Sequence, residues 1–144
     1  MFPISKKFIK LLNECDIEYT SAPADDDIDT DMINLTYFSN EVNQVKISLL
    51  FSENNDVAIR CFSLYNVPEQ KLSAILFALN MLNSQYRDGK LFIDEDNDIQ
   101  LASDVYFSED LNEALDLCVN AFKRFTRIID SVLPKITEIM RMRI

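Results

Sequence analysis

Hydrophobic positions along this chain recur with two different periods, and the switches between them divide it into eight elements. Phe8, Ile9, Leu11 and Leu12 follow Ser5, a residue suited to cap a helix, and their helical stripe ends at Asp16. Thr20–Asp31 reads as a loop, with five aspartates in the seven positions from Asp25 to Asp31. The period then becomes two: Ile33, Leu35 and Tyr37 alternate, as do Val45, Ile47, Leu49 and Phe51, and then Val57, Ile59 and Cys61. The short, Asn-rich connections Ser39–Gln44 and Ser52–Asp56 predict an antiparallel meander. A helical pattern returns after Pro68, with Leu72, Ile75, Leu76, Leu79 and Leu82 on one stripe.

Gly89 opens a second strand region. Leu91, Phe92 and Ile93 face Ile99, Leu101 and Val105 across Asp94-Glu95-Asp96-Asn97-Asp98, a hairpin turn in which Asn97 is the residue able to adopt a left-handed conformation. Ser108, Glu109 and Asp110 begin the longest helix, whose seam is Leu111, Leu115, Cys118, Phe122, Phe125, Ile129, Val132 and Ile136. Pro134 predicts a kink or break near Asp130, and residues 135–144 read as an amphipathic basic end. The result is one α+β domain over residues 1–144. An antiparallel sheet, a three-strand meander plus a hairpin, packs with three helices in the order α-β-β-β-α-β-β-α.

Two surfaces stand out. Strand alternation puts Phe38, Leu50 and Phe62 on the sheet face opposite the core, beside Thr36, Lys46, Ser48 and Arg60. That mixed face is a candidate partner-binding surface. The second helix has more apolar circumference than one sheet face can cover, since Phe77 and Met81 widen its stripe. This predicts a homodimer with Phe77 and Met81 at or near the contact.

Composition removes more chemistry than it adds. The chain lacks histidine, so histidine-based triads, pairs and metal ligands are excluded, and its single glycine excludes P-loops and dinucleotide turns. Asp94, Asp96 and Asp98 have the spacing of a calcium loop, but Ile99 and Val105 occupy its glycine and glutamate positions. Cys15, Cys61 and Cys118 are widely spaced and read as reduced, buried residues. Residues 14–116 hold 22 acidic and 5 basic side chains, whereas 119–144 hold 2 acidic and 6 basic ones. The acidic body argues against nucleic acid as a partner. No apolar run approaches the ~20 residues of a membrane helix, and no secretory signal is visible, so the expected location is cytoplasmic.

Leu79-Asn80-Met81-Leu82-Asn83, followed by Gly89-Lys90-Leu91-Phe92-Ile93-Asp94-Glu95-Asp96-Asn97-Asp98-Ile99-Gln100-Leu101 and then Asp104, resembles the YbjN family of bacterial proteins. That family shows a helix ending in paired asparagines, a Gly/Arg-Lys strand, an Asp-Glu-Asp-Gly-Asp turn and a long closing helix. The specific match covers residues 70–130, and this chain departs at Asn97, where glycine is usual. The resemblance implies the fold of the class I type III secretion chaperones and a small, acidic, dimeric protein without catalytic residues or cofactor. The expected function is therefore a protein-binding module, chaperone-like or regulatory, holding a segment of an unidentified partner on the Phe38, Leu50 and Phe62 face or on a free strand edge. The alternative is a small-molecule or divalent-cation sensor using the Asp25–Asp31 loop or the hairpin tip.

Overall fold

A computed structural model describes residues 1–39 and 44–143. The elements are α1 (Pro3–Glu14), β1 (Thr20–Ala22), β2 (Thr30–Phe38), β3 (Gln44–Ser52), β4 (Asp56–Asn66), α2 (Leu72–Asn83), β5 (Lys90–Ile93), β6 (Asp98–Tyr106) and α3 (Leu111–Arg141). The six strands form one antiparallel sheet in the order β1-β2-β3-β4-β6-β5. The α+β class and the order of the long elements are as predicted. The sheet gains one strand, because Thr20–Ala22 leaves the expected loop and pairs with Met32–Asn34. All three β1 residues are exposed and none is strongly apolar, so alternation gave no sign of it. The expected turn between Ser39 and Gln44 lies largely outside the described residues.

The core is the sheet face carrying Ile33, Ile47, Leu49, Phe51, Ile59, Ile99 and Leu101, covered by helices. From α1, Phe8 meets Phe51 with ring centroids 5.7 Å apart and tilted. This helix begins earlier than expected. Pro3 occupies its first turn, and Ser5 is buried rather than capping. Its entry is held from the sheet: the Phe2 amide donates to Asp31 Oδ2 at 2.7 Å, and the Ala24 amide to Asp31 Oδ1 at 2.8 Å. At its other end Asp16 is left-handed (φ 53°), with Ile17 N–H donating to Leu12 O and Asp16 N–H to Asn13 O. Those two bonds satisfy carbonyls the helix leaves over.

α3 departs from its predicted seam. Its cap is Asp110, the last of the three residues expected to begin it, and one Asp110 carboxylate oxygen accepts from the Asn112 and Glu113 amides. The buried stripe is Ala114, Cys118, Ala121, Phe125, Ile128, Ile129, Val132, Leu133 and Ile136, which leaves Leu111 exposed and Phe122 half-buried. Two alanines allow the first half of the helix to lie close against its neighbours, and they carry too little hydrophobicity to mark the face. The helix continues through Pro134 to Arg141. Pro134 is exposed while Val132, Leu133 and Ile136 are buried, so the helix is packed into the core on both sides of the proline. The Lys71 ammonium donates to the Ile139 and Met142 carbonyls at its C-terminal end.

Gly89 serves close approach rather than a special turn. A Cβ there would stand 2.8 Å from Ile128 Cδ1 and 3.3 Å from Leu101 Cδ1, and its φ is not positive. Of the cysteines, Cys61 and Cys118 are buried as expected, and burial pushes their thiols up to about 11 and about 12. Cys15 is a correction: it lies exposed at the C-cap of α1, beyond the buried stripe.

Candidate functional site

Among the described residues, no helix covers the second face of the sheet. Register alone assembles it, because even-numbered residues of β2, β3, β4, β5 and β6 share that side. One rung runs across all six strands as Thr20, Asn34, Ser48, Arg60, Ala102 and Lys90. The next carries Ala22, Met32, Leu50, Ala58 and Asp104. The polar members of the inner strands are occupied with one another. Ser48 Oγ donates to Asn34 Oδ1 at 2.6 Å. The Arg60 guanidinium donates to Asp104 Oδ1 at 2.7 Å and to the Ser103 and Ile59 carbonyls at 3.0 Å. Ala58 and Ala102 leave the face shallow beside that pair. Apolar side chains border it: Leu50 and Met32 are half-buried, Phe62 is 47 % exposed and Phe92 is 43 % exposed.

The three residues singled out from the sequence all lie on this side, but they are not gathered together. Phe38 pairs with Gln44 at the far end of β2, six residues along β3 from Leu50, or roughly 20 Å at strand spacing. Phe62 falls in an irregularity of β4, where the pairing with β6 shifts between Cys61 and Tyr65. Sequence reasoning missed Phe92 by treating Leu91, Phe92 and Ile93 as one apolar run. Alternation along β5, with Leu91 paired to Leu101 inside, would have placed it outside.

On α2, Ile75, Leu79 and Leu82 are buried, while Phe77 is 71 % exposed and Met81 is 52 % exposed. Leu76, predicted on the packed stripe, is also exposed and adds to this patch. The patch and the open sheet face both leave large apolar side chains in water.

The acidic segments are taken up by backbone. Asp25 Oδ1 accepts the Asp27 and Ile28 amides. Asp31, expected in a solvated loop, begins β2 and is fully buried; its burial disfavours the charge, but the Ala24 amide, Ser5, the Phe2 amide and the chain's N-terminal ammonium together hold its carboxyl below the usual range. At the hairpin, Asp94 Oδ1 accepts the Asp96 and Asp98 amides and Oδ2 accepts the Gln100 side chain. The Gln100 bond leads in lowering the Asp94 pKa, followed by the Asp98 amide, with slight burial opposing and the Asp96 amide assisting. Among the described residues, no three acidic or cysteine side chains come together in a way that could hold a metal ion. No described helix is long and apolar enough to cross a membrane.

Comparison with known proteins agrees with this architecture. A crystal structure of YbjN from E. coli, described as "a putative transcription regulator", superimposes with a TM-score of 0.56 at 12% identity, covering 89% of this chain and 90% of that one. At that identity the likeness concerns the fold. No curated protein matches the chain in sequence. The profile of the YbjN family, "Putative bacterial sensory transduction regulator", matches residues 16–137, and this chain belongs to that family.

Proposed function

We propose that the protein is a non-catalytic regulatory module that acts by holding a segment of a partner protein on its uncovered sheet face. The carrying observation is that face itself: Leu50, Met32, Phe62 and Phe92 border a shallow surface whose inner polar groups already pair with one another. Such a surface offers apolar contact without leaving a buried charge unpaired. The family's description as a sensory transduction regulator suits a protein that works by binding. The exposed Leu76, Phe77 and Met81 of α2 supply a homodimer contact in the same reading. The cation-sensor alternative draws no support from the aspartates, since Asp25, Asp31 and Asp94 already accept two or more hydrogen bonds each.

Affinity capture from cells of the source organism tests the binding role. The native protein retains a discrete partner, and a folded Phe62→Ser, Phe92→Ser variant loses it. Equal capture by both excludes the face. Light scattering tests the assembly: the native protein runs as a dimer at micromolar concentration and a Phe77→Glu, Met81→Glu variant as a monomer. A monomeric parent excludes the dimer.

A further inference from the structure

The two edges of the sheet are finished differently. At β5 the Asn83 amide exchanges two hydrogen bonds with the Leu91 backbone, donating to its carbonyl at 2.9 Å and accepting its N–H at 2.8 Å. That edge is sealed by a side chain. At the other edge β1 is only three residues long and stops at Thr20 opposite Asn34, while β2 continues through Phe38. Among the described residues, no strand pairs with Leu35–Phe38 on that side, and no side chain hydrogen-bonds their backbone. The chain leaves the edge at Tyr19 and opens a groove of about 780 Å³, lined by Ile17, Glu18, Tyr19, Leu35, Phe38 and Lys46 among others. Ile17 and Phe38 are largely exposed there. The departing chain carries the exposed residues Glu14, Asp16 and Glu18, of which Glu18 lines the groove together with Lys46, while Glu14 lies 3.9 Å from Lys10.

We propose that the Leu35–Phe38 edge takes up an extended segment of another protein as an added strand, in line with β1 and antiparallel to β2, and that this segment alternates apolar with lysine or arginine residues. The proposal rests on the partner-holding function above and names a site and a partner chemistry for it. An unpaired ladder of amides and carbonyls is completed by another backbone, and β1 already shows the direction and register that this edge accepts. Alternate apolar side chains meet Ile17, Tyr19 and Phe38, and the basic ones meet Glu18. A neutral strand would complete the ladder equally well but would leave Glu18 without an ion-pair partner.

The test uses a blocked peptide of alternating lysine and valine with the full-length protein at physiological salt. Binding is read by fluorescence anisotropy, and amide exchange by NMR. Expected is at least tenfold slower exchange of amides within Leu35–Phe38. Of two peptides N-methylated at alternate residues, one in each phase, at least one loses tenfold or more in affinity, because it cannot form the ladder. Glu18→Lys weakens binding several-fold in a variant whose spectrum is otherwise native. Absence of binding, or both methylated peptides binding like the parent, overturns the edge site. Protection confined to Leu50, Ala58 and their neighbours also overturns it, while leaving partner-holding by the open face intact. The face variants under the proposed function test that reading separately, since neither Phe62 nor Phe92 lines the groove.

Discussion

Asn83, the last residue of α2, behaves toward Leu91 as a strand residue would, accepting its N–H and donating to its carbonyl. One side chain therefore ties the helix to the sheet and closes the outer edge of β5. Asn83→Ala leaves both Leu91 groups without their protein partner and should cost roughly 1–3 kcal/mol in urea unfolding. Asn83→Asp, which can no longer donate, should fail to restore the loss. An Asn83→Ala protein as stable as the parent would show that water serves this edge equally well.

Asn97 sits at φ 64° in the β5–β6 turn, where its backbone N–H donates to Asp94 O and its carbonyl accepts Val67 N–H. The turn needs the backbone conformation, and no side-chain bond to Asn97 is present among the described residues. Asn97→Gly should change stability by no more than about 0.5 kcal/mol, with lower strain set against a more flexible unfolded chain. A loss above ~1 kcal/mol would assign the side chain a contact of its own.

Phe125 is 1 % exposed, whereas Phe122 only packs at the margin of the core. Phe125→Ala should cost about 3–5 kcal/mol and Phe122→Ala less than half as much. Denaturant midpoints at equal slope give the comparison. The reverse order would mean that α3 is rotated about its axis from the orientation described.

Asp31 gives acid sensitivity a definite sign. Its folded pKa lies below the ordinary 3.8, so its contribution is fully present above that value and is lost as pH falls toward the folded pKa. Melting temperature should fall more steeply below about pH 4 in the native protein than in Asp31→Asn. The two should therefore draw together with acidification, the variant being the less stable at pH 7. Parallel curves would remove Asp31 as a contributor.

Much of this fold was legible because alternation and helical stripes report burial directly, and the order of the seven longest elements after α1 needed little else. What was hidden depended on contacts distant in sequence. β1 has no apolar signal of its own and exists because β2 offers it an edge. Asp31 looked like one of five loop aspartates until the Phe2 amide, 29 residues away, was seen to need it. Ala114 and Ala121 mark the true face of α3 by being small, which a seam of large residues cannot show. The candidate face was legible as a face but not as a surface: alternation assigned sides, while register and the β4 irregularity separated Phe38 from Leu50 and brought Phe92 in.

The uncovered sheet face is proposed to meet another protein in the cell. Photo-crosslinking tests this proposal most directly, with a benzophenone amino acid placed in turn at Phe62, at Phe92 and at Ser131 on the exposed side of α3. A partner seated on this face gives a discrete adduct from Phe62 and Phe92 and none from Ser131. Absence of an adduct from both sheet positions, or the same adducts from all three, would contradict the proposal.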